Sequence, residues 1–191
     1  MKARVSILML TAAVICSLGA SHSVRGLQTP REHLTEQEVE LVKEAQILDK
    51  RIAVFIKAAD RRIEVITGAA PSTSKQAKKE AELWGPLPTG TRGELMGDIS
   101  RIFDEAITNI DDVSSRDDKN PLIPIALRNL AAAVSRIVGQ LKPLEGQFSG
   151  DSETSSFDQL IDNAESIVQA ASKLPPPVEK KGKGGKGKAQ N

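Results

Sequence analysis

The chain has 191 residues, a formal net charge of +1, one cysteine, two histidines and no tyrosine. That length suits one domain. A single cysteine excludes a disulfide framework, and two histidines leave too few ligands for a zinc cluster.

The N-terminus reads as an export leader. Met1-Lys2-Ala3-Arg4 is basic, Val5 to Leu18 is mostly apolar, and Gly19-Ala20-Ser21-His22-Ser23 is small and polar. A positive start, an apolar middle and a small-residue cleavage site are what secretion machinery reads. Fourteen residues fall short of the roughly 20 that span a bilayer. The sequence therefore predicts a signal peptide over 1–23, cleaved after Ser21 or Ser23, which takes Cys16 with it. Ile15 before Cys16 argues against a lipid anchor there, and no later segment reads as a membrane span. The predicted location is the periplasm, the cell envelope or the outside of the cell.

A lead-in segment, 24–34, is expected to be flexible. The first helix is predicted from Thr35, where Thr35 and Glu38 have capping-box spacing. Leu41, Ala45, Leu48, Ile52, Phe55, Ala59, Ile63 and Ile66 draw one apolar stripe. The pattern predicts one helix of about 33 residues, about 50 Å long, stopped by Gly68 and Pro71. Arg61 and Arg62 are assigned to its last turn, where the helix dipole favours cations.

A weaker helix is predicted over Ser74 to Trp84, with Ala77, Ala81 and Trp84 on its apolar side. Gly85-Pro86-Leu87-Pro88-Thr89-Gly90 breaks the chain. A second capping box, Thr91 and Glu94, opens the next helix. Its stripe is Leu95, Ile99, Ile102, Phe103, Ala106, Ile110 and Val113, with close packing as a reason for Gly97. After the polar turn Arg116 to Asn120, a helix starts between Asn120 and Pro124. It carries Leu127, Leu130, Ala131, Val134, Ile137, Val138 and Leu141 to Pro143. A loop is expected from Gly146 to Ser155. A last helix then follows, capped by Ser156 and Gln159, with Phe157, Leu160, Ala164, Ile167, Ala171 and Leu174 inward. The Pro/Lys/Gly-rich remainder, 175–191, is predicted to be disordered.

One narrow stripe per helix predicts an all-α fold: a helical bundle of four long amphipathic helices plus one short helix, occupying 35–174. Charge is uneven along it. Removing the +2 of the leader and the +4 of the tail from the total of +1 leaves 24–174 at −5. An acidic body does not describe a nucleic-acid-binding domain.

Catalytic groups are scarce. There is no Glu-x-x-His pair for a di-iron centre and no haem-binding pattern. A Ser–His–Asp triad would have to rest on His33 in the lead-in segment. The expectation is no catalytic residue, no cofactor and no metal. The acidic run from Asp104 to Asp118, with Asp111, Asp112, Asp117 and Asp118, lacks calcium-loop spacing and glycine. It reads as a solvated helix end.

Two contact sites remain. Trp84, in a Pro/Gly loop, is either a recognition anchor or a plug over the end of the core. Lys180, Lys181, Lys183, Lys186 and Lys188 form a basic tail suited to an anionic surface, without aromatics to stack bases.

Leu34-Thr35-Glu36-Gln37 is similar to the Leu-Thr-x-x-Gln motif of exported helical stress proteins, but the Gln falls one residue early and there is no second copy. Val42 to Arg62 and Asp98 to Leu130, including Asp111-Asp112-Val113-Ser114-Ser115-Arg116-Asp117-Asp118-Lys119-Asn120-Pro121-Leu122-Ile123-Pro124, resemble exported bacterial proteins of no assigned function. That resemblance implies export and no activity. The expected function is a non-enzymatic interaction or scaffold protein binding another protein or an anionic envelope surface. The alternative is a carrier of a small apolar ligand or a chaperone-like envelope bundle.

Overall fold

A computed structural model describes residues 31–69 and 74–176, except the side chains of Gln76 and Ala77. The leader, most of the lead-in segment, Pro71 and the lysine tail lie outside the described residues. The rest is all-α. Its helices are α1 (Glu36–Glu44), α2 (Leu48–Thr67), α3 (Lys75–Trp84), α4 (Arg92–Arg116), α5 (Leu122–Leu141) and α6 (Asp151–Ser172), with a 3₁₀ turn at Lys142–Gln147.

The stripes meet in one core. Ile52, Phe55 and Ala59 of α2, Ile99, Ile102 and Phe103 of α4, Leu130, Val134 and Ile137 of α5, and Phe157 and Leu160 of α6 are all buried in it. Around the bundle the order is α2, α4, α6, α5, each helix packing on the next and α5 closing on α2. Helices α4 and α5 are consecutive in the chain but lie across a diagonal. Arg92 meets Glu153 at 3.6 Å, and Ser100 meets Asn163 at 2.7 Å. Advancing along α4 thus advances along α6, so these two neighbours are parallel. By length and composition, Leu122–Gln147 is apolar enough to cross a membrane, contrary to the sequence reading. In the structure 39% of that apolar stretch is buried, Leu130, Val134 and Ile137 among its residues facing the bundle core.

Two of the three predicted capping boxes form. Thr35 Oγ1 accepts the Glu38 N–H at 3.3 Å while Glu38 takes the Thr35 N–H at 2.9 Å. Thr91 and Glu94 repeat the pattern. Gly68 ends α2 in the left-handed region, at φ 66°.

Two boundaries and one packing assignment differ from the sequence reading. The first predicted helix is two, broken at Ala45-Gln46-Ile47. Ile47 is extended, and side chains take up the freed carbonyls: Gln46 donates to Lys43 O and Arg51 Nε to Ala45 O at 2.9 Å. The last helix starts at Asp151, not Ser156. Glu153 accepts the Ser149 N–H at 2.9 Å, so the chain is already turned before the expected cap. Finally, Gly97 is not a close-packing site, since a Cβ there would meet only Ser156 Oγ, at 3.9 Å. Gly93 approaches more closely, with Glu153 Cγ at 3.4 Å.

His33 and Leu34, assigned to the flexible lead-in, are packed on the body. Leu34 joins the core, and His33 Nε2 lies 2.7 Å from Glu105 Oε2.

Candidate functional site

Arg62 lies seven residues after Phe55 and three after Ala59, on the core-facing side of α2. A guanidinium there needs a counter-charge. Glu38 supplies it. On an unbroken helix these two residues, 24 apart in sequence, would be separated by about 36 Å. The break at 45–47 folds α1 back on α2 and brings the carboxylate to 2.8 Å from Arg62 Nη1 and Nη2 and 2.6 Å from Arg61 Nη1. With the Thr35 N–H, the two carboxylate oxygens accept four hydrogen bonds, about their full capacity.

Two guanidinium groups on one carboxylate leave a positive excess. Backbone carbonyls absorb it. Arg62 donates to Ala58 O at 2.7 Å and His33 O at 2.6 Å. Arg61 donates to Gly85 O at 2.9 Å and to Pro86 O. Glu38, Arg61 and Arg62 are all buried. Burial alone would push the Glu38 carboxyl up. The hydrogen bonds and charge of Arg62, the Thr35 N–H and the charge of Arg61 outweigh that and hold it below its ordinary value. So Arg61 and Arg62 are not solvated dipole partners at a helix end; they turn inward and tie α1, α2 and the 85–86 loop together.

The tie positions Trp84. The Arg61 guanidinium sits over its ring, 5.7 Å from the centroid. The half-buried indole packs against the core. Gly85 follows with φ 67°, and a Cβ there would come within 3.0 Å of the Gln37 side chain. Only glycine fits that backbone and that approach. On either side, Leu83 is 58% exposed and Leu87 39% exposed. Trp84 was legible as a candidate. Leu83 and Leu87 were not, because nothing in local sequence says which flanking side chain turns outward. The clasp had one signal, an arginine in register with the apolar stripe.

A second, smaller cluster lies where α6 crosses α4. Asn163 Nδ2 donates to Ser100 Oγ at 2.7 Å and to Asp104 Oδ1 at 2.8 Å. Burial raises the Asp104 carboxyl, opposed by Asn163 and His33. Asp111, Asp112, Asp117 and Asp118 are exposed. Among the described residues no group of three His, Cys, Asp or Glu side chains is placed to hold a metal.

An open cleft of about 420 Å³ runs between α5 and α6, with Val134, Val138, Ala164 and Val168 inside and Glu165, Gln169 and Ser172 along the α6 edge. The candidate lysines Lys180, Lys181, Lys183, Lys186 and Lys188 lie outside the described residues. Comparison with known protein families, with curated proteins and with solved structures finds no match.

Proposed function

We propose that the chain is an exported, non-enzymatic binding protein that presents the segment from Leu83, at the end of α3, to Leu87, in the loop that follows, to another macromolecule. One observation carries this reading: two large apolar side chains, Leu83 at the end of α3 and Leu87 in the next loop, stand exposed on either side of a junction pinned from beneath by Arg61. A loop fixed before contact loses little conformational entropy on binding, and exposed leucines beside an aromatic anchor offer apolar area to a partner. Export rests on the leader, and the basic tail adds a contact for an anionic envelope surface.

The test is site-specific photo-crosslinking in the source cells, with the reactive group at Leu83, at Leu87 and, as a control, at the exposed Ala132 of α5. A discrete partner joined at 83 and 87 but not at 132 is expected. Equal background at all three positions would overturn the reading. Sequencing the N-terminus of the exported protein checks the leader, with His22 or Val24 expected first.

The α5–α6 cleft favours a second reading, a carrier of a small apolar ligand, because its volume falls within the usual range of ligand sites. Native mass spectrometry of protein purified from its source separates the two. A retained small molecule supports the carrier.

A further inference from the structure

Lys75, Lys79 and Leu83 are spaced four apart on α3, so they line one exposed strip of that helix. Glu80, beside them, is paired with Lys57 of α2 at 3.5 Å. Neither Lys75 nor Lys79 forms an ion pair among the described residues. The strip is therefore one large apolar side chain followed, toward the helix start, by two cations without a counter-charge. Helix α3 packs on α1 and leaves this strip to solvent.

The α5–α6 cleft carries the complementary pattern. Val134 and Ala164 form its buried floor, and Val168 is 40% exposed within it. Toward the start of α6 from Val168 stand Glu165, Asp162 and Asp158, three, six and ten residues back and all exposed. None of the three forms an ion pair among the described residues. Toward the end of α6 come Gln169, Ser172 and Lys173, with no acid among them. The pattern thus has a direction.

We infer that the occupant of this cleft is α3 of a second copy of the chain, with Leu83 seated beside Val168 and with Lys79 and Lys75 laid along Glu165, Asp162 and Asp158. This rests on the reading of Leu83 as a contact residue and names what it meets. The spacing agrees when the two helices run parallel. Lys79 lies about 6 Å and Lys75 about 12 Å along the axis from Leu83, while Glu165, Asp162 and Asp158 lie about 4.5, 9 and 15 Å from Val168. The flexible four-carbon stem of lysine spans the differences. With the helices antiparallel, Lys79 would fall beside Ser172 and Lys173, a site with no anion. Donor strip and cleft belong to different elements, so each copy that uses its α3 still offers its cleft. Such a heterologous contact propagates into rings or filaments.

Sedimentation velocity of the protein purified from its source, at concentrations up to about 1 mM, where a very weak complex is half formed, tests this. Concentration-dependent growth beyond a dimer is expected, and it should recede in about 0.5 M salt, which screens the pairing. Lys79→Glu and Glu165→Lys each set like charges against one another and should each weaken association several-fold. Both positions are exposed, so neither change costs folding. Mixed together, the two variants should associate again, because the unaltered α3 of Glu165→Lys meets the unaltered cleft of Lys79→Glu. Leu83→Ser should weaken association as well. A monomer at every concentration would overturn the inference. So would association that survives either charge reversal or Leu83→Ser, or a mixture of the two charge variants that stays monomeric. A monomer whose Leu83 crosslinks a different protein in cells overturns the second copy alone and leaves segment 83–87 as a contact surface.

Discussion

Replacing Glu38 by glutamine leaves two buried guanidinium groups without a counter-charge. Breaking a buried pair this way costs about 3–5 kcal/mol, and urea denaturation of Glu38→Gln at pH 7 should show a loss of that order. The pH dependence follows from the lowered Glu38 carboxyl. A depressed folded-state value gives stability that is complete above the unfolded value, about 4.5, and is lost as pH falls through the folded one. The difference between wild type and Glu38→Gln should therefore be greatest near neutrality and shrink in acid below pH 4.5. A gap that widens in acid would contradict the clasp. Trp84→Ala removes a half-buried ring and its contact with Arg61. A loss of about 2 kcal/mol is expected, below the 3–5 typical of a fully buried aromatic. Leu83→Ser with Leu87→Ser should leave the denaturation midpoint nearly unchanged, within about 0.5 kcal/mol, while abolishing partner crosslinking. Glu38 was legible in sequence as a capping-box member. Its second task was not, because that partner lies 24 residues away across a break.

At the scale of elements, the break between α1 and α2 shows long-range charge prevailing over local propensity. Residues 41 to 52 contain no glycine or proline, and the apolar period runs through them, so a continuous helix is the local solution. It would leave Arg62 facing the core unpaired. Folding α1 back pairs Glu38 with both Arg61 and Arg62 at the cost of one turn of helix. The start of α6 teaches a similar lesson. Ser156 and Gln159 have capping-box spacing, yet Glu153 has already accepted the Ser149 N–H. A spacing rule cannot choose between two competing caps. Gly97 gives a prediction here. A Cβ at that position meets only Ser156 Oγ at 3.9 Å, so Gly97→Ala should stabilise the protein by about 0.5–1 kcal/mol through helix propensity. A fall in melting temperature would show that the α4–α6 interface needs the glycine.

At the scale of the whole molecule, the parallel pairing of α4 with α6 can be checked by a cross-link. Ser100→Cys with Asn163→Cys should be joined by a short thiol-reactive cross-linker in the folded protein, because Asn163 Nδ2 reaches Ser100 Oγ at 2.7 Å. A cross-linker yield no higher than for Ser100→Cys paired with a cysteine at exposed Ala132 would mean that α4 and α6 are not neighbours in this register. What the sequence determined by itself was local or periodic. Hydrophobic spacing fixed the all-α class, the inward face of each long helix and most core residues, though not Leu34, Ala58, Met96, Ala126 or Ala133. Thr35 with Glu38, and Thr91 with Glu94, fixed two helix starts, because both partners of a cap lie within one turn. The ring order α2, α4, α6, α5 came only from the tertiary structure. Four similar stripes pack equally well in several orders, and the choice is made by contacts such as Ser100 with Asn163 that join distant parts of the chain. The same holds for the clasp. The register of Arg62 with Phe55 and Ala59 marks it as inward-facing, but nothing within that helix names the carboxylate that neutralises it and Arg61. The exposure of Leu83 and Leu87 was likewise decided by how Arg61 holds the carbonyls of Gly85 and Pro86.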